Sequence, residues 1–187
     1  MLGPLLFIIY TNDLPNASTN ARAILFADDT TVYASSDSLS MLYNTINLDL
    51  DYLADWFCAN KLSLNISKTN YVLFSRDNKV THMDITIGNN KIERKQYVKF
   101  LGIMVDEKLD WSEHISRCKL KLSSSIFAIN AAKRYLTTQH LLMLYNSLVY
   151  PYLSYGVLLW GATFQTHLNK MVVMQKKISS YYCTCTI

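Results

Sequence analysis

Apolar residues along this chain fall into two kinds of spacing. Short runs of strand-forming residues occur before residue 110, and only helical spacings occur after it. Ala23-Ile24-Leu25-Phe26 and Thr30-Thr31-Val32-Tyr33 flank the pair Asp28-Asp29 and are rich in β-branched and aromatic residues, which suit strands. Asp tolerates the backbone angles of tight turns, so this stretch predicts a β-hairpin with two negative charges at its tip. Leu39, Leu42, Ile46, Leu50, Leu53 and Phe57 recur at spacings of three and four, predicting one long amphipathic helix. Ser36-Asp37-Ser38 offers its cap and Asn60 its stop, and the helix is expected to cross one face of the sheet. Gly3 to Asn12 predicts a short buried helix opening at Pro4 and ended by Leu14-Pro15-Asn16.

Further along, Tyr71-Val72-Leu73-Phe74 predicts a strand, followed by a polar connector, Arg76 to Lys79. Met83, Ile85 and Ile87 alternate with Asp84 and Thr86, and Gly88-Asn89-Asn90 turns the chain back along Lys91-Ile92. One more strand is expected through Tyr97 to Val105. Asp110 with Glu113 has the spacing of a capping box, opening a long helix with Ile115, Leu122, Ile126 and Ile129 on its inner face. Thr137 opens another helix through Leu141, Leu144, Tyr145 and Leu148. Pro151 restarts the chain, and Leu168, Val172 and Gln175 mark a last helix.

Composition narrows the classes. The chain has 187 residues, half of them hydrophobic, enough for a real core in one or two domains. A net charge of +4 and thirteen tyrosines permit a polyanionic partner without requiring one. Cys58, Cys118, Cys183 and Cys185 form no Cys-x-x-Cys pair, and His82, His114, His140 and His167 show no ligand spacing, which points to structural roles in a reducing compartment. No signal peptide is expected at the apolar opening, which lacks a basic start, and Tyr150 to Phe164 is too short and interrupted to span a bilayer. Asp28-Asp29 has two readings on pattern alone: an ordinary turn, or a divalent-metal site, since hard cations take carboxylate oxygens. Arg117 and Lys121 share a helical face and Lys133-Arg134 close that helix. They read as a solvated face with charges suited to a helix C-terminus, or as a nucleic-acid surface given a supporting fold.

Taken together, the motifs carry a resemblance. Leu2-Gly3-Pro4-Leu5-Leu6-Phe7, Tyr10-Thr11-Asn12-Asp13-Leu14 and Phe26-Ala27-Asp28-Asp29-Thr30 stand in order. Trp56-Phe57, Asn60-Lys61-Leu62, Leu64-Asn65 and Lys68-Thr69 follow. After them come Phe100-Leu101-Gly102-Ile103, Leu109-Asp110-Trp111 and His114-Ile115, then Tyr150-Pro151, Tyr155-Gly156, Trp160-Gly161 and Gln175-Lys176-Lys177. This series, from residue 2 to about 178, resembles the reverse transcriptase of non-long-terminal-repeat retrotransposons of the jockey-like type.

The resemblance implies an α+β fold: part of a right-hand polymerase palm, an antiparallel sheet with packed helices, over 1–109, then an all-α thumb-like region over 110–187. It implies RNA-templated DNA synthesis with Mg²⁺, an RNA template and a DNA primer or RNA–DNA duplex as partners, and an intracellular site, nuclear or cytoplasmic. Asp28 matches the catalytic metal-binding Asp and Asp29 its neighbour. Lys68 matches a lysine proposed to protonate the departing pyrophosphate, and Phe100-Leu101-Gly102 the hairpin that grips the primer end. Arg117, Lys121, Lys133 and Arg134 then become nucleic-acid-binding candidates.

The family places another metal-binding Asp on a strand upstream of the Leu-Gly-Pro block, and the fingers lie upstream too. Neither has a match here, and 180–187 stop matching, so a truncated fragment inactive by itself is expected. A residual nucleic-acid-binding module and the product of a decayed element are the alternatives. The hairpin is expected to leave an apolar sheet edge open to pairing with another chain.

Overall fold

The computed structural model describes residues 2–75 and 84–183, with side chains to 178. The expected connector at 76–79, Met83, His82, Cys185 and the end of the tail lie outside the described residues. Helices and small sheets mix along the chain in an α+β fold. It divides into two compact units, one of residues 2–71 with 84–95 and one of residues 72–75 with 96–183.

In the first unit α1 (Gly3–Tyr10) leads into a 3₁₀ turn (Leu14–Ala17) and then β1 (Arg22–Phe26) and β2 (Asp29–Tyr33). The expected burial of α1 does not hold, because no residue of it is buried and Leu2, Leu5, Ile8 and Ile9 are exposed. A helix apolar all round needs cover on several sides, and here it is tied chiefly at its end, where Thr11 is buried and the Tyr10 hydroxyl donates to the Asn60 carbonyl. The β1–β2 hairpin forms with Phe26 opposite Asp29 and Arg22 opposite Tyr33. α2 (Leu39–Ala59) starts after Ser38 and stops at Asn60, as its pattern predicts, and packs on the 3₁₀ turn and on the short strand Thr86–Ile87. Ser38 gives it no side-chain cap.

The expected strand at 71–74 shrinks to β3 (Asn70–Tyr71), which pairs in parallel with β6 (Glu93–Arg94). β4 (Thr86–Ile87) and β5 (Asn90–Lys91) turn at Gly88-Asn89, where Gly88 takes a positive φ. In place of one antiparallel sheet, the described residues form four two-stranded ones.

In the second unit, the single strand expected over 97–105 folds back as β7 (Tyr97–Phe100) and β8 (Ile103–Asp106). Leu101 and Gly102 both have positive φ, 45° and 92°, which reverses the chain in two residues. α3 (Ser112–Ala132) buries Ile115, Leu122, Ile126 and Ile129 as its spacing predicts. The capping box is half made: Asp110 Oδ1 accepts from the Ser112 amide at 2.8 Å, while Glu113 turns to Arg117. α4 (Thr138–Leu148), α5 (Tyr150–Ser154), α6 (Val157–Trp160) and α7 (Gln165–Cys183) complete the unit. Leu141, Val149, Trp160, Met171 and Ile178 join the α3 residues in one core. On α7 the buried face is Met171 and Ile178, seven residues apart, leaving Val172 and Gln175 outside.

Candidate metal and nucleic-acid site

Asp28 and Asp29 sit at the tip of β1–β2, and both are exposed. Ala27 and Asp28 are the two loop residues, and Ala27 takes a φ of 53°, in the left-handed region usually filled by Gly. The alternation along β1 half-buries Ala23 and Leu25 and exposes Ile24 and Phe26, 49% and 62% accessible. The hairpin bonds to no third strand among the described residues, so both its edges are open.

What fixes the start of β1 is a residue that the sequence reading missed. Asp49 on α2 is fully buried and gathers the loop that enters the strand. Its Oδ2 accepts from Ser18 Oγ at 2.8 Å, from the Asn20 amide at 2.9 Å and from the Ala21 amide. Its Oδ1 takes Thr19 Oγ1 at 3.2 Å and Asn20 Nδ2 at 3.2 Å. Burial pushes this carboxyl up, but the bonds from Ala21, Ser18 and Asn20 outweigh it and bring the carboxyl down to about 2. A signal was available: Asp49 lies between Ile46, Leu50 and Leu53 on the apolar face of the helix, where a charge needs buried donors.

The other candidates are spread over the chain. Lys68 closes a 3₁₀ turn (Ile66–Lys68), is exposed, and forms no ion pair with Asp28 or Asp29 among the described residues. Phe100, Leu101 and Gly102 form the β7–β8 tip within the second unit, and Phe100 is exposed. Arg117 and Lys121 lie one turn apart on the outer face of α3. Glu113 Oε1 accepts from Arg117 Nε at 2.6 Å and raises the guanidinium above its already high range. The guanidinium also stands 5.6 Å from the centre of the Tyr97 ring. Lys133 caps α3, about 160° further round the helix than Arg117, and Arg134 follows outside it, so the four cations do not share one face.

His114 anchors the β7–β8 hairpin to α3. Its Nδ1 accepts from the Met104 amide at 3.4 Å, which leaves the proton on Nε2, 3.5 Å from Cys118 Sγ. Burial pushes the imidazole down and the Cys118 thiol up, so both are held neutral.

Asp28 and Asp29 offer the hard oxygen donors that a divalent cation of the Mg²⁺ class prefers. Their number falls short of a cage, and no group of three or more His, Cys, Asp or Glu comes together among the described residues. The pair therefore fits such an ion in kind and not in count.

An acidic pair exposed on a hairpin tip and a second tight hairpin followed by a long helix are found in a chain whose residues 1–105 match the model of the reverse transcriptase (RNA-dependent DNA polymerase) family, and the chain belongs to that family. Its relatives agree with the resemblance to jockey-like elements. It is 28% identical to the RNA-directed DNA polymerase from mobile element jockey of Drosophila funebris, over 95% of this chain and 20% of that protein. It is 25% identical to the probable RNA-directed DNA polymerase from transposon X-element of Drosophila melanogaster, over 99% of this chain and 21% of that protein. With the corresponding protein from transposon BS it shares 26% over 99% of this chain and 22% of that relative. The chain thus spans about a fifth of the length of the curated relatives it matches. No solved structure matches it. No helix among the described residues is long and apolar enough to cross a membrane.

Proposed function

We propose that this chain supplies part of the machinery for RNA-templated DNA synthesis: a palm portion over 1–109 and a thumb-like portion over 110–187. The observation that carries this reading is the placement of Asp28 and Asp29 together at an exposed hairpin tip, inside the segment that matches the family. Bound Mg²⁺ would polarise the transferring phosphate and the attacking 3′-hydroxyl, and these two carboxylates would hold part of its coordination sphere. In this reading Lys68 faces the departing pyrophosphate, the Phe100-Leu101-Gly102 turn meets the primer end, and Arg117, Lys121, Lys133 and Arg134 meet phosphates. An RNA template with a DNA primer, or the RNA–DNA duplex, is the partner, and the work is intracellular.

Two carboxylates do not close a two-metal centre, so the 187 residues by themselves bind a duplex and do not extend it. Synthesis needs metal ligands beyond these two, and the open β1–β2 edges are a route for a strand carrying them to join. The test is primer extension on an RNA template with Mg²⁺, using this chain and Asp28→Ala. No extension is expected from either; extension that disappears in Asp28→Ala overturns the claim of inactivity. In parallel, duplex affinity is expected to fall steeply with salt, and Arg117→Ala or Lys121→Ala to flatten the slope by about one each. Affinity indifferent to ionic strength overturns the nucleic-acid reading.

A further inference from the structure

The Tyr155-Gly156 corner, between α5 and α6, meets the β7–β8 tip at three points. The Tyr155 hydroxyl donates to the Leu101 carbonyl at 2.5 Å. Its ring lies flush on the turn, since a Cβ added at Gly102 would stand 3.3 Å from Tyr155 Cε1. Gly156, at a φ of +65°, brings the corner so close to β8 that a Cβ there would fall 2.3 Å from Ile103 Cδ1. The corner is itself anchored: buried Trp160 donates through Nε1 to the Tyr155 carbonyl at 2.9 Å.

These contacts answer a need of the turn. Leu101 holds a positive φ that side chains seldom adopt. The hydrogen bond on its carbonyl comes from the corner, 54 residues away, and not from the hairpin. Tyr155 is half exposed, so burial of its ring does not by itself account for where its hydroxyl is spent.

We propose that Tyr155, seated by Gly156 and Trp160, is a positioning residue for the Leu101-Gly102 turn, fixing the presentation of Phe100. Its importance for a primer end rests on the reading of that turn given above. The hydroxyl supplies the register, the glycine supplies the closeness, and the indole ties both to the helical core.

The test uses the whole chain and reads amide hydrogen exchange residue by residue. Tyr155→Phe keeps the ring and removes one hydrogen bond, so exchange at the β7–β8 tip is expected to rise about tenfold, with α3 and α7 unchanged. Gly156→Ala is expected to loosen the same amides, and adding Ile103→Val, which deletes Cδ1, to restore part of the protection. Unchanged exchange at the tip in Tyr155→Phe overturns the assignment, and so does an equal rise throughout the helical unit. A second measurement compares a recessed RNA–DNA primer end with a blunt duplex; Tyr155→Phe is expected to lose affinity for the recessed end alone. A wild-type chain with no preference for the recessed end sinks the primer-end reading, while the exchange result still decides the role of Tyr155.

Discussion

Asp49 shows how a single side chain sets up the aspartate hairpin without standing near its tip. It is ionised and buried, and its acceptors are filled by the loop over 18–21. Asp49→Ala strands several backbone donors, so a loss of about 3 kcal/mol is expected in urea unfolding at neutral pH. The pH dependence has a definite sign. A folded value of about 2 against an ordinary 3.8 means the folded state binds the proton less readily. Its stabilisation is therefore complete above the ordinary value and is lost as pH falls through the window down to about 2. Unfolding midpoints across that window are expected to drop more steeply for wild type than for Asp49→Asn. Hydrophobic periodicity shows the carboxylate on the apolar face but not what satisfies it, because its donors come from a loop outside the helix. Ala27 was less legible still: its left-handed φ is imposed by pairing Phe26 with Asp29 across two residues, and Ala has no intrinsic preference for it.

Elements with one covered face were the legible ones. α2 and α3 began and ended near where their caps and spacing placed them, because each presents a single stripe to its unit. The division of 97–105 into two strands was hidden by a largely apolar run broken only at Lys99 and Gly102; Gly102 hints at the reversal, and the resemblance implies a hairpin at Phe100-Leu101-Gly102. α1 failed for the opposite reason, since its composition states a need for cover but not where the cover lies. The same reasoning ranks substitutions on α3. Leu122, fully buried in the core, is expected to cost about 2–5 kcal/mol as Leu122→Ala. Phe127, 76% accessible on the outer face, is expected to change stability by less than about 0.5 kcal/mol as Phe127→Ser. Chemical denaturation of the two variants checks this; equal losses would mean that the inner face was misassigned.

On the scale of the whole chain, two compact units predict unfolding that is not all-or-none. Denaturation followed by residue-resolved probes is expected to show Asp49→Ala moving the transition of the first unit and Leu122→Ala that of the second. A single shared transition moved equally by both would argue that the units fold as one. The division also bears on the proposed chemistry: Asp28, Asp29 and Lys68 belong to the first unit, and the β7–β8 tip with Arg117 and Lys121 to the second.

The clamp on the loop before β1 has a temporal consequence. Ala21 and Asp49 are 28 residues apart, so the strand that carries the acidic tip is held by a helix made after it. During synthesis the tip waits unsecured until α2 has coiled behind it. A ribosome that stalls between the two leaves an apolar ribbon with open edges and nothing yet fastening its root, which makes the pace of translation across that interval a determinant of whether the chain folds or clumps.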